Sequence, residues 1–413
     1  MGEGHGHGIT RAPRASERTA NLLAAFVGAA IILTIIGAIF VWPKDQDFRG
    51  TYPTVEEGSS WHSGVIDVVA DDQMTATVVL DDEEAAGPQE LRLLDEYGRV
   101  LPSAGDRVRV LETPEGELIF GDFDRRGSIL GWLIAYIVVV IGVAWWRGLG
   151  ALLGLAIALG IVIFFTIPSL YHGNNPLVVG LVTGAGAMIV LLYLAHGVNA
   201  RSTTALLGTL AGLGVTGLLG AWAVSSTHLT GIWDSDGAHL TYLNEGISVT
   251  GMVLCGVILA GLGVLNDVTV TQASAVWELR AANPSATRLE LFTRGMRIGR
   301  DHIASTVYTI AFAYVGAGLP AIMMLSLFDA NVVQSLTSAD IAEEVVRTLV
   351  GSIGLVLAVP LTTLIGAAVI GSQAIADGDG GDGHGAAPSG PGSAPKPALT
   401  PRPGSVPKPR PVK

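Results

Sequence analysis

The sequence predicts a polytopic α-helical membrane protein of about eight spans, with a small all-β, OB-like domain outside the membrane between spans 1 and 2. Three observations predict it. Apolar stretches near the length of a bilayer crossing recur along the chain, too many and too long to be core helices of a soluble fold. Of 413 residues, 49% are hydrophobic and only 15% charged, and the mean hydropathy is +0.50. The acidic residues gather in one alternating, turn-rich segment between the first two apolar runs. The 54 glycines fit as well, because glycine is commoner in membrane helices than in soluble ones.

The chain opens on a polar leader, residues 1–20, containing "GEGHGHG"; it is read as a flexible cytoplasmic tail. Arg11, Arg14 and Arg18 precede the apolar run Leu22–Trp42. That run is long and has no clear small-x-small cleavage site, so residues 21–42 are read as an uncleaved anchor helix. Residues 43–128 are read as the extracytoplasmic β domain. They hold 20 Asp and Glu against 8 Lys and Arg, which accounts for the whole formal charge of −12. The short alternating runs "WHSGVIDVVA", "TATVVL", "QELRLL", "DRVRVLE" and "ELIFGDF", parted by Asp, Gly and Pro turns, read as five strands of a small barrel. The acidity suits a solvated surface, or one that attracts cations or a basic protein partner.

Residues 129–372 are read as a seven-span block. Its spans fall near Ile129–Trp146, Leu149–Ile167, Leu177–Ala195, Thr203–Val224, Ile247–Leu265, Ile303–Phe328 and Leu349–Ile370. Basic residues orient it. Arg147, Arg201, Arg280, Arg288, Arg294, Arg297 and Arg300 all fall on the side of the leader, whereas loops 167–176 and 225–246 carry no Lys or Arg. The positive-inside rule then puts both termini in the cytoplasm. Loop residues 281–300 form an amphipathic segment, with Ser285 as a candidate N-cap and Leu289, Phe292, Met296 and Ile298 facing lipid or bundle. The tail, 373–413, is Gly- and Pro-rich and cannot bury a core, so it is expected to be disordered.

The candidate site lies in "GVLNDVTVTQASAVWELR", residues 263–280. Asp267, Thr271, Ser274 and Glu278 are spaced by one helical turn each and form a polar stripe if the span continues as helix past Leu265. Asn266 stands beside the stripe; Thr269 and Gln272 lie on the opposite face. A carboxylate at membrane depth is costly and marks an ion or substrate path. If the span ends at Leu265, Asp267 is an interfacial residue instead. The following span offers Thr306 and Thr309 as hydroxyl partners, along with Asp301, His302, Ser305 and Tyr308.

The run from Gly261 to Met324, with its "NDVTVTQAS", "WELR" and "IGRD", resembles the YibE/F family of bacterial membrane proteins. The resemblance covers roughly residues 20–375 and implies an anchor, a small β domain and a seven-span block. It supplies no biochemical activity. "GVLND", "LFTRGMRIGRD", "STVYT" and "GLP" also resemble, more distantly, the transmembrane core of resistance-nodulation-division transporters and the SecD/SecF accessories. That similarity implies Asp267 as a proton site with Thr306 or Thr309 beside it.

Two functions follow as expectations: a proton-coupled secondary transporter or exporter using Asp267, or a non-catalytic assembly or sensing protein acting through the β domain. No enzyme is expected, since no nucleotide loop, zincin helix or catalytic triad spacing occurs. No cofactor is expected. The outer loop residues His228, Asp234, Asp236, His239 and Glu245 include metal-ligating types but read as a polar loop. One cysteine, Cys255, excludes an intramolecular disulfide and a cysteine-based metal cluster. The partners expected are membrane lipid, a protein docking on the β domain, and further copies of the chain. Sparse basic residues at the membrane edge give no nucleic-acid surface.

Overall fold

The computed structural model describes residues 17–44, 48–71, 73–82, 87–93, 100–232, 235–243, 246–327 and 331–371. Most of the leader and the tail from residue 372 lie outside the described residues. Helix α1, Glu17–Phe40, matches the anchor. It is followed by the five expected strands: β1, Ser60–Val69; β2, Thr75–Leu80; β3, Pro88–Arg92; β4, Arg107–Glu112; and β5, Leu118–Phe123. They close a barrel in the order β1-β2-β3-β5-β4, with β3 and β5 parallel and the other pairs antiparallel. Alternation drives it. Ile66, Ala76, Val78, Leu91, Val108, Val110 and Phe120 point inward and are buried, and the residues between them meet solvent. Gly64 lets β1 approach β2, since a Cβ there would meet the Val79 carbonyl at 2.6 Å.

The helical block follows. It comprises α2, Arg126–Ile161; a π turn, Val162–Thr166; α3, Ile167–Tyr171; α4, Pro176–His196; α5, Ala200–Ser226; α6, Ser235–Leu243; α7, Val249–Ala282; α8, Arg288–Ala317; α9, Leu319–Leu327; α10, Val332–Leu336; and α11, Ala339–Gly371. Among the described residues, six stretches are long and apolar enough to cross a membrane: α1, Arg126–Tyr171, α4, α5, α7 and Ile341–Ile370.

The difference from eight has two causes. The second and third expected spans are one stretch, bent at Trp145, where φ 55 and ψ −135 interrupt the helix. Gly148 lies against the carbonyl of Val140, although eight residues of continuous helix would separate them by about 12 Å. The chain therefore doubles back there. The other cause is α8, which carries the charges of the amphipathic segment without a break into the apolar part. Its start also differs from expectation. Thr287, not Ser285, caps α8: Thr287 Oγ1 accepts from the Glu290 amide at 3.2 Å, and the Glu290 carboxylate accepts from the Thr287 amide at 2.8 Å. The expected span Ile303–Phe328 is broken at Gly318, and Pro320 is the second residue of the helix α9 that follows.

Helices α5, α7 and α11 form the centre of the block, with α4 and α8 against them. Glycine and threonine rows make the close approach. A methyl at Gly208 would overlap the Thr362 hydroxyl, and one at Gly354 would overlap Thr216. Such small residues at helix interfaces let backbones meet in a medium where apolar burial gives no drive. Leu23, Trp277, Leu291, Ala367 and Ile370 pack together, so the start of α1 and the end of α11 meet at one end of the bundle. The barrel joins the other end. There Tyr52 Oη donates to the Leu243 carbonyl at 2.7 Å, and Phe48 stacks on Tyr171 with centroids 4.7 Å apart. Arg126, at the start of α2, grips Asp124 at 2.6 Å and donates to Ser63 Oγ of β1 at 2.6 Å.

Candidate functional site

Helix α7 runs unbroken from Val249 to Ala282, so the condition for a stripe past Leu265 is met. Its level in the bundle follows from its neighbours. Gly180 of α4 sits against Ile258 and Cys255, and Gly184 against Leu262, so α4 and α7 run side by side in the same direction. Asp267 is thus level with residue 189 of α4, about 10 Å short of that helix's end at His196. In α5, Thr209 meets Thr269 at 2.6 Å and Gly212 meets Leu265, which puts Asp267 near the middle of α5.

Around α7, Asp267, Thr271 and Glu278 are exposed along one flank, with Gly263 above them and half-buried Ser274 among them. The Asp267 carboxylate makes no hydrogen bond or ion pair among the described residues. Thr271 Oγ1 donates to the Asp267 carbonyl at 2.8 Å, and Ser274 Oγ to the Val270 carbonyl at 2.8 Å. On α8, Thr306 is buried and donates to the His302 carbonyl at 2.8 Å; Thr309 is exposed and donates to the Ser305 carbonyl at 3.2 Å. Each of these hydroxyls bonds back to its own helix, leaving its oxygen free to accept. The structure brings no hydrogen bond between the α7 stripe and Thr306 or Thr309. Asn266 Oδ1 and His302 Nε2 are shielded from solvent with no hydrogen-bond partner among the described residues.

The other face of α7 carries a network that the stripe reading passed over. Gln272 Nε2 donates to the Gly295 carbonyl at 2.8 Å and to Thr363 Oγ1 at 2.7 Å. Thr363 donates in turn to the Val359 carbonyl at 2.7 Å, and Thr209 to the Ala205 carbonyl at 2.9 Å. Thr269, Gln272, Thr209, Thr362 and Thr363 are all buried. They tie α5, α7, α8 and α11 together. The sequence signal for this network was the turn spacing of Thr269 and Gln272 facing the Gly-Thr row of α5.

In the outer loop, Asp234 and Glu245 lie outside the described residues, as does the side chain of Asp236.

The sequence matches the family described as YibE/F-like protein over residues 132–372, more than half of the chain. The chain belongs to the YibE/F-like family. No curated protein matches it, and no solved structure does. The YibE/F-like region includes Asp267 with its stripe and the whole Gln272 network, and it begins after the barrel and α1. Family membership and the apolar helices make this an integral, multi-pass membrane protein.

Proposed function

We propose that this YibE/F-like chain is the membrane unit of a proton-coupled secondary transporter or exporter, with Asp267 as the protonatable group on its path. One observation carries the reading: an unpaired carboxylate stands on the flank of α7 well inside the height of an apolar bundle. At membrane depth such a group costs ~2.5–3.5 kcal/mol and marks a path for ions or substrate. Thr271 and Ser274 continue the flank, and Glu278 stands where α7 nears the arginine-rich end. Asn266 precedes Asp267 on α7, and Thr306 and Thr309 are the hydroxyls that α8 would add to the path.

The arginines supply the direction. Arg147, Arg201, Arg280, Arg288, Arg294, Arg297 and Arg300 belong to one end of the bundle, where α1 starts and α11 ends. That end is assigned to the cytoplasm of the bacterial plasma membrane, with both termini there and the barrel outside. The arms on either side of Trp145 count as two crossings, and α8 with α9 as another, which restores eight. No catalytic chemistry or cofactor enters this reading.

The carboxyl itself is the probe, since the substrate is not identified. A hydrophobic carbodiimide, which enters bilayers and consumes protonated carboxyls, should modify Asp267 in the purified protein in vesicles, less so as pH is raised. Peptide mass spectrometry that finds Asp267 unmodified at every pH overturns the proposal. If Asp267→Asn is without effect in cells while deletion of residues 51–123 abolishes function, the chain acts instead as an assembly or sensing protein through its barrel.

A further inference from the structure

Where α1, α5 and α11 meet at the basic end of the bundle, they leave a groove of about 480 Å³. Leu22 and Phe26 of α1, Leu207 of α5, and Ile365 and Ala368 of α11 line it, together with Arg288 at the start of α8. The lining is otherwise apolar apart from the buried Thr19. Arg288 makes no hydrogen bond or ion pair among the described residues. Its carboxylate neighbour in sequence, Glu290, is already held by the Thr287 amide in the capping box. Arg18, exposed on the first turn of α1, adds a second cation next to Thr19, and Glu17 is the one acid on that turn.

We propose that this groove binds one anionic glycerophospholipid from the leaflet at the basic end, an acyl chain lying along Leu22, Phe26, Leu207 and Ala368 and the phosphate on Arg288. Charge complementarity and position select that occupant. An apolar slot open to the bilayer is filled by acyl chain, and an unpaired guanidinium at its headgroup end pairs bidentately with a phosphate oxygen pair. A lipid in this place wedges the anchor helix against α5 and α11. It thereby couples α1, which lies outside the YibE/F-like region, to the family core. The inference stands apart from the proton reading, because none of its residues belongs to the Asp267 stripe.

The test is native mass spectrometry of the full-length protein titrated with phosphatidylglycerol or phosphatidylcholine of matched chains. Wild type should retain one phosphatidylglycerol in preference to phosphatidylcholine. Arg288→Gln should weaken phosphatidylglycerol about five-fold and leave phosphatidylcholine unchanged, the loss expected for one basic contact with an anionic headgroup. Ala368→Trp, which fills the slot from an exposed position, should remove both lipids. Arg297→Gln, an exposed arginine on α8 away from the groove, should change neither. Equal retention of the two lipids by wild type overturns the proposal, as does an equal loss in Arg297→Gln. Displacement of the bound species by inorganic phosphate would mark a free-anion site and overturn the lipid assignment.

Discussion

Toward α5, α8 and α11, helix α7 presents Thr269 and Gln272, whose side chains bond to Thr209, Gly295 and Thr363. Half a turn away it presents Asp267, Thr271 and Ser274, whose side chains bond to α7 itself or to no described partner. Both faces are polar, and composition does not separate them. What separates them is glycine on the partner. Gly295 and Gly299 of α8 sit directly against Gln272, and Gly208 lets Thr362 of α11 close on α5. Where a neighbour removes its side chain, a polar group is drawn into the bundle and satisfied. Where none does, the polar group is left for water, a substrate or a proton. The first face is expected to govern assembly and the second to govern activity.

The largest effect expected is on the first face. Gly208→Val drives two methyl groups into Thr362, and overpacking of this kind costs about 1–3 kcal/mol or more. Loss of monodisperse protein in detergent would be the readout, and a normally assembled Gly208→Val would break the comparison. Gln272→Leu comes next. It strips a donor from the Gly295 carbonyl and from Thr363, for a cost of about 1–2 kcal/mol. A lowered thermal transition with the stripe intact is expected. Asp267→Asn should do the reverse, leaving the transition within about 0.5 kcal/mol of wild type while abolishing the proposed proton-coupled activity. A Tm loss in Asp267→Asn as large as that in Gln272→Leu would make the two faces equivalent.

The smallest effect lies in the barrel, where a polar cluster is satisfied entirely at the surface. His62 of β1 reaches Asp82 at 2.6 Å through Nδ1 and Glu112 at 2.9 Å through Nε2. The hydrogen bond that His62 donates to Asp82 raises the His62 pKa above its ordinary 6.5 despite the opposing effect of burial, and the charges of Asp82 and Glu112 add to the rise. A raised pKa means that protonation favours the folded barrel. Its contribution is fully present below the ordinary value and is lost as pH rises through the raised one. The barrel's melting temperature should therefore drop slightly over that window, and His62→Gln should flatten the drop. The same drop in His62→Gln would point to other groups.

Much of this is legible in the sequence. The five strands were readable because alternation has a period of two and each run ends in Asp, Gly or Pro. The anchor, the long apolar helices and the stripe at Asp267 were readable because apolar length and turn spacing are local properties. The turn between the second and third spans was readable to within two residues, since the runs Ile129–Trp146 and Leu149–Ile167 part at Arg147; that the chain turns on Trp145 itself was not, because a positive φ at tryptophan goes against local preference. The N-cap moved from Ser285 to Thr287 because Glu290 completes a capping box only with Thr287. Which face of α7 is buried depends on Gly208, Gly295, Gly299 and Thr363, residues dozens of positions away in the chain. A single helix cannot report them.

If Asp267 stands on a proton path, its flank of α7 meets water within the membrane and the Gln272 face does not. Single cysteines at positions 263 to 278 on a Cys255→Ala background, treated in vesicles with a small water-soluble thiol reagent, test it most directly. The account predicts reaction at 263, 267, 271, 274 and 278, repeating with the helical turn, and protection at 269, 272, 273 and 276. Protection at 267 and 271 along with those four would place the flank in lipid and contradict the proposed path.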